Sequence, residues 1–463
     1  MAWAERGGGV VVPNEREERV AAGAGADKMG ATAAGDQDGR DESSSRPRVK
    51  VAVLGLGRLG VCFAVVLERA GYDVVGVDVN PHIVDNVNRK RSTSTEPGLA
   101  EALGRTSRLR ATEDLDEAVS GASLIFVLVP TPNCGGRNFY DHSILSNVLF
   151  RLNSLKLRDK HIVISATVMP GYVHGTGKFL LRDCENVSLS YNPAFVAQGN
   201  IMEGYQTGGW FGLVLIGSSS GEATQLLVEV YERIAPKDRC PNICKMSPES
   251  AEIAKLASNC FRTTKISFCN MVADLADNTP GADKDEICAA LAKDQSIGAT
   301  CMRPGYGYGG PCYPRDNQAL ALYAKRVGVN PCIPLATHEY NEFHHDVMAR
   351  ALKREGREEY VFEDVAYKPG CAVAMIDESP KLRVALQLAQ EGCKVVIRDR
   401  LALIHEVMKE YGSTFSYEII DGGTGDCRQD APSSPSLAAH SAECAGEGSA
   451  HQQFSVQQHA GVY

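Results

Sequence analysis

The sequence predicts an α/β protein built on a parallel sheet, and three observations carry that reading. Short apolar runs at 51–54, 74–77, 124–129 and 162–164 are separated by stretches of helical length, the pattern of buried strands joined by crossover helices. A glycine-rich turn directly follows the first run. A second, shorter alternation of strand and helix begins after about residue 346. At 463 residues the chain has room for two or three domains.

Residues 1–47 are rich in Gly, Ala, Ser and charge without a hydrophobic period. They bury too little to offset ordering entropy, which predicts a disordered arm. A first domain is expected over 48–222. Its opening strand, Val51-Ala52-Val53-Leu54, ends at Gly55-Leu56-Gly57-Arg58-Leu59-Gly60, and a helical stretch runs from there to Ala70. The first glycine permits a tight turn, the second lets a pyrophosphate approach the backbone, and the third lets helix and strand pack closely. Asp78 ends the second strand about twenty residues on, where a carboxylate can accept from the adenosine ribose and would repel a 2′-phosphate. The combination predicts a Rossmann domain that binds NAD rather than NADP.

A helical domain is expected over 223–345. Ser247 suits an N-cap, Pro248 the first helical position and Glu249 the positive end of the dipole. From Ile253 to Ala276 apolar residues recur at helical spacing, a run of about thirty residues from Ser247. A helix that long spans between domains or packs against a copy of itself, so a homodimer is expected. Beyond it lies Gly305-Tyr306-Gly307-Tyr308-Gly309-Gly310-Pro311-Cys312-Tyr313-Pro314-Arg315-Asp316. Four glycines let this backbone approach a ligand closely. Pro314 suits the first turn of a following helix, which places Cys312 at its N-terminus, where the dipole favours a thiolate. Over 346–420, the stretch 360–366, a helix over 380–390, Val395-Val396-Ile397 and a helix around 404–411 predict a partial α/β unit. From Asp421 the chain turns polar and small, which predicts a disordered tail over 421–463.

Composition excludes several classes. Lys and Arg number 48 against 57 Asp and Glu, a net charge of −9 with no basic cluster, so nucleic acid is not expected as a partner. No stretch approaches the roughly 18 apolar residues of a membrane helix, and the first thirty residues lack the apolar core of a secretory signal. Fifteen cysteines spread through such a chain imply reduced thiols and a cytoplasmic protein. Cys240 and Cys244 lie four apart, but no second pair completes a zinc set, and no metal is expected.

With the fingerprint and the cysteine loop in place, the chain resembles the UDP-glucose/GDP-mannose dehydrogenase family over most of residues 49–400. Further matching segments are Glu96-Pro97-Gly98-Leu99, Val129-Pro130-Thr131-Pro132, Ala166-Thr167-Val168, Asn192-Pro193, the helix carrying Lys255 and Asn259, Tyr367-Lys368-Pro369 and Glu378-Ser379-Pro380. The resemblance implies an N-terminal NAD-binding Rossmann domain, a central helical dimerisation domain and a C-terminal Rossmann-like domain for the nucleotide sugar. It also implies oxidation of a sugar C6 alcohol to a carboxylate with two NAD. Carried over by position, Cys312 is the nucleophile that forms a thiohemiacetal and then a thioester. Lys255 and Asn259 address the developing oxyanion from one helix face, and Asp316 orients water or assists proton transfer. Gly55, Gly57, Arg58, Leu59, Gly60, Asp78, Thr131 and Thr167 are implied as cofactor residues, the last two at the nicotinamide half. Phe195, Lys255, Asn259, Tyr306, Gly307, Gly309 and Lys368 are implied as substrate residues.

The chain also departs from the family. Ala194 and Gln198 stand where the resemblance would place carboxylates that activate the hydrolytic water, a contribution typically of about 10²–10⁴-fold. Glu203 is the candidate substitute. Ser296 and Asp377 stand in place of arginines, and after Ile420 the third domain stops short of the family's further strands. The expected function is NAD-dependent oxidation of a nucleotide sugar, UDP-glucose by default, with GDP-mannose or a UDP-N-acetylhexosamine as alternatives. The competing reading is a catalytically impaired protein that binds NAD and a sugar nucleotide.

Overall fold

The computed structural model describes residues 49–133, 139–209 and 212–420. The arm expected at 1–47 and the tail expected at 421–463 lie outside the described residues. Eight strands form one sheet: β1 (Lys50–Leu54), β2 (Asp73–Val77), β3 (Leu109–Thr112), β4 (Leu124–Val127), β5 (Arg158–Ile164), β6 (Glu185–Tyr191), β7 (Leu213–Gly217) and β8 (Asn242–Met246). Their order is β3-β2-β1-β4-β5-β6-β7-β8. The first six pair in parallel, as the apolar runs predict, whereas β7 meets β6 antiparallel through Tyr191 and Gly217. β8 pairs with β7 over five residues and so continues this sheet beyond residue 222.

The burial of β1 explains why its apolar run is continuous. Val51 and Val53 face a core with Phe63, Leu67 and Phe126, while Ala52 and Leu54 face a second core with Ile125, Leu145 and Leu149. Both faces are covered, so the strand has no polar side. The helix Arg58–Arg69 covers the first face, and Val61 to Leu67 are all buried. Chain order reverses between β1 and β4, which opens a crevice at the carboxyl ends of the strands, where such sheets bind ligands.

The long helix spans Pro248–Asp277, thirty residues, with Ser247 Oγ accepting from Ser250 N at 3.2 Å as an N-cap. It packs against the helices Lys284–Lys293, Tyr313–Arg326 and Cys332–Arg354. A second, parallel sheet of order β11-β10-β9 follows, with β9 (Tyr360–Phe362), β10 (Val395–Asp399) and β11 (Ser416–Ile419). Helices Pro380–Gln390 and Leu401–Tyr411 cover it around Phe362, Leu382, Leu388, Ile397 and Val407. Among the described residues, no helix is long and apolar enough to cross a membrane.

Candidate active site

The glycine turn after β1 takes a form only glycines allow. Gly55 has φ +94°, and a Cβ on Gly60 would lie 1.8 Å from the Gly55 carbonyl oxygen. Gly57 differs, because nothing lies within 4 Å of where its Cβ would be. It is the N-cap of the helix Arg58–Arg69, which has no side-chain cap and no acid in its first turn. Asp78 Oδ2 accepts from Leu56 N at 2.8 Å, and Oδ1 from Asn80 N at 2.9 Å, so the carboxylate is fixed at the end of β2. Beyond β4 and β5, Thr131 Oγ1 donates to the Thr167 carbonyl at 2.8 Å, which brings the two threonines together. An uncapped helix start with open space above it, flanked by a fixed carboxylate, fits a dinucleotide. Arg58, with Pro311, Arg315, Asp377 and Glu378 among others, lines a cleft of about 500 Å3 that joins this turn to the cysteine loop.

The second half of the site is built on the long helix. Lys255 and Asn259, one turn apart and both buried, donate to the same atom: Asp316 Oδ2 accepts Lys255 Nζ at 3.0 Å and Asn259 Nδ2 at 2.6 Å. Burial alone would lower the pKa of Lys255, but the Asp316 carboxylate beside it, with a smaller contribution from Cys312, outweighs burial and holds the group above its ordinary value. Phe195 faces the same ammonium, with its ring centroid 5.6 Å from Nζ. Cys312 is the N-cap of the helix Tyr313–Arg326. Its residue surface is exposed, yet protein atoms crowd the sulfur. Crowding pushes the thiol above its ordinary value, and Asp316 adds to this, while Lys255 and Arg315 pull the other way. Helix position and desolvation therefore act on the thiol in opposite directions.

The glycines of the cysteine loop are explained differently from the sequence reading. A Cβ on Gly309 would meet the Glu378 carbonyl at 1.8 Å, and one on Gly310, φ +83°, would meet the Tyr367 ring at 2.5 Å. These two glycines let the loop approach protein, not ligand. The loop is further held by Asn341, which accepts from Tyr308 N and donates to Tyr308 O, and by His344 Nε2 on the Gly305 carbonyl. Gly307 has φ +102° beside Asn341. Tyr306 faces Phe362, and Lys368 rests over the Tyr367 ring at 5.6 Å; no contact joins Lys368 to the Lys255 cluster among the described residues.

Only some of the positions that depart from the family use their side chains. Ala194 packs against the first core. Gln198 accepts from Cys371 Sγ through its backbone oxygen, while its buried side-chain Oε1 has no hydrogen-bond partner among the described residues. Asp377 supports Gly310 N through its backbone, which any residue could do. Glu203, the candidate substitute, has both oxygens engaged, by Arg239 at 2.5 Å and Asn200 at 2.7 Å, and those hydrogen bonds, Asn200 first, hold its pKa below the ordinary carboxylate value.

Three residues that the sequence reading gave no role hold the site in place. Glu96 accepts from Gly199 N and Ile201 N, so it shapes the loop that carries Phe195. Glu252 accepts from Gly171 N and Val173 N and ties the long helix to the turn after Thr167. A carboxylate one turn before Lys255 on an apolar helix face was a usable signal for Glu252. Tyr140, whose hydroxyl donates to Asp316 Oδ1, offered none.

The description "UDP-glucose/GDP-mannose dehydrogenase family, NAD binding domain" matches residues 49–235, and the central domain of that family matches 249–343. The UDP-glucose 6-dehydrogenase of Haloferax volcanii is 27% identical over 375 residues, 76% of this chain and 84% of that protein. The GDP-mannose 6-dehydrogenase of Pseudomonas putida is 27% identical over 380 residues, 78% and 84%. A solved UDP-glucose dehydrogenase from Pyrobaculum islandicum superposes with a TM-score of 0.72 at 29% identity, over 81% of this chain and 87% of that one.

Proposed function

This chain belongs to the UDP-glucose/GDP-mannose dehydrogenase family, and from that premise we propose that it oxidises the C6 alcohol of UDP-glucose to the carboxylate, with Cys312 holding the intermediates. The observation that carries the proposal is the convergence of Lys255 and Asn259 on one buried oxygen of Asp316, four residues after Cys312. The Gly55–Gly60 turn, Asp78, Thr131 and Thr167 would hold NAD, which when bound would supply the hydride acceptor, one molecule for each of the two oxidations. Lys255 Nζ and Asn259 Nδ2 donate toward the sugar O6, stabilising negative charge there. Cys312 Sγ attacks the aldehyde carbon; as the C–S bond forms, the C=O π bond opens and the thiol proton passes to O6, giving a thiohemiacetal that retains the reactive aldehyde. Water then breaks the thioester, and the sulfur leaves with a proton. Ala194 and Gln198 bring no carboxylate to this last step and Glu203 is engaged elsewhere, so hydrolysis is the slow half-reaction.

The test is NADH formed per enzyme with UDP-glucose and excess NAD, beside Cys312→Ala. Sustained turnover or a burst near enzyme concentration, abolished by Cys312→Ala, supports the proposal. A burst followed by a slow phase that Ala194→Glu accelerates supports slow hydrolysis. No NADH with UDP-glucose, GDP-mannose or a UDP-N-acetylhexosamine, from folded protein that binds NAD, would leave the non-catalytic reading. GDP-mannose or the acetylated sugars outpacing UDP-glucose would reassign the substrate.

The proposal includes a homodimer through the long helix. Phe261, Phe268 and Leu275 are 68%, 50% and 61% exposed and recur every seven residues, on the face away from Lys255 and Asn259. Such a stripe suits a second helix. Sedimentation of Phe261→Glu with Phe268→Glu should give a monomer where the parent gives a dimer.

A further inference from the structure

Asp316 is almost completely buried, and its carboxylate carries more donors than the sequence places near it. Oδ2 holds Lys255 and Asn259; Oδ1 accepts the hydroxyl of Tyr140, which lies 176 residues away in the chain. Tyr140 is buried in a cluster with Phe139, Met169, Leu256 and Ala319. Its ring meets Phe139 edge-on at 5.4 Å, and the Arg315 guanidinium lies 5.8 Å from its centroid. A ring packed this way leaves its hydroxyl one direction, toward Asp316. Burial first, and the Asp316 charge second, keep the phenol far from ionising, so it acts only as a donor.

We infer that Tyr140 is a positioning residue of this site: its hydroxyl holds Asp316 Oδ1 so that Oδ2 stays turned to Lys255 and Asn259, which fixes the Lys255 ammonium beside Cys312. The inference rests on the proposed dehydrogenase reading for its consequence in turnover, but not for its geometry. The two oxygens are equivalent, so what the Tyr140 bond fixes is the angle of the carboxylate plane; without it the carboxylate would swing about its Cβ–Cγ bond, and the ammonium would follow it. The Asp316 cluster, together with Arg315, sets the charge around the sulfur. The titratable groups acting on or lying around Cys312 are Lys255, Arg315, Asp316, Tyr140, Tyr313 and Tyr367.

Tyr140→Phe removes one oxygen and keeps the ring. The first readout needs no turnover: peptide-mapped alkylation of Cys312 by iodoacetamide as a function of pH, in the full chain. Without the hydroxyl, Asp316 is less neutralised and Lys255 less fixed, and both effects disfavour the thiolate. The midpoint should rise by about half a pH unit or more, and kcat should fall about tenfold with KM unchanged. Where the variant fails to fold, fluorotyrosine at position 140, a stronger donor that keeps the hydroxyl, should shift the midpoint downward. An unchanged midpoint, with or without a lower melting temperature, overturns the inference. Absence of NADH from the parent protein would overturn the dehydrogenase reading, while the alkylation midpoint still decides the role of Tyr140.

Discussion

Two glycine-rich loops, each leading into a helix, meet across the cleft of this molecule and use their glycines for different ends. In the turn after β1, Gly55 and Gly60 make room for each other, while Gly57 opens onto empty space. In the cysteine loop, Gly309 and Gly310 are filled by the Glu378 carbonyl and the Tyr367 ring, so the loop is seated on the C-terminal sheet unit. One loop keeps a cradle for a ligand; the other uses flexibility to hold Cys312 rigidly. Glycine content alone does not distinguish them. What occupies the missing Cβ position does.

Substitutions at these positions test the contrast directly, and the largest effects are expected where the obstruction is backbone. Gly309→Ala should destabilise the protein by about 3 kcal/mol, since a carbonyl 1.8 Å away cannot rotate aside. Gly60→Ala should do the same against the Gly55 oxygen. Denaturant unfolding reads both, and a cost near zero at Gly309 would mean the loop is not seated as described. Gly57→Ala should behave in the opposite way. Its stability should stay within about 0.5 kcal/mol of the parent, while NAD binding weakens about tenfold by calorimetry, because the methyl would fill the cradle. Unchanged affinity would remove the cofactor from that space.

The smallest effect concerns the link between the two halves. Burial pushes the Glu252 carboxyl from an ordinary 4.5 up to about 7, although its bonds from Val173 N and Gly171 N pull the other way. A carboxyl raised on folding contributes stability fully present below its unfolded value and lost as pH rises through the folded one. Relative to Glu252→Gln, the parent should therefore lose stability between about pH 4.5 and 7. Urea midpoints for the two proteins across that range check it. Parallel pH profiles would mean that Glu252 is ionised throughout and serves only as an acceptor.

Much of this was legible in the chain. The continuous apolar runs at β1, β2, β4 and β5 read correctly because strands covered on both faces need no polar alternation. Ser247-Pro248-Glu249 marked the start of the long helix because capping is local chemistry. Lys255 and Asn259 were singled out by the family resemblance, and their spacing of four placed them on one helix face. The antiparallel pairing of β7 was not legible, since direction depends on the path between strands and leaves no mark in composition.

The sequence by itself determined the α/β class, the dinucleotide turn with Asp78, the long helix and the residues that face one another along it, all properties set within a few turns of chain. Only the tertiary structure decided which groups share an atom. It placed Tyr140 on Asp316, gave Gly309 to the Glu378 carbonyl, tied up Glu203 with Arg239, and raised the Cys312 thiol by crowding where a helix N-terminus alone would lower it. Those outcomes depend on desolvation and on contacts between residues far apart in the chain, and neither is written in local spacing.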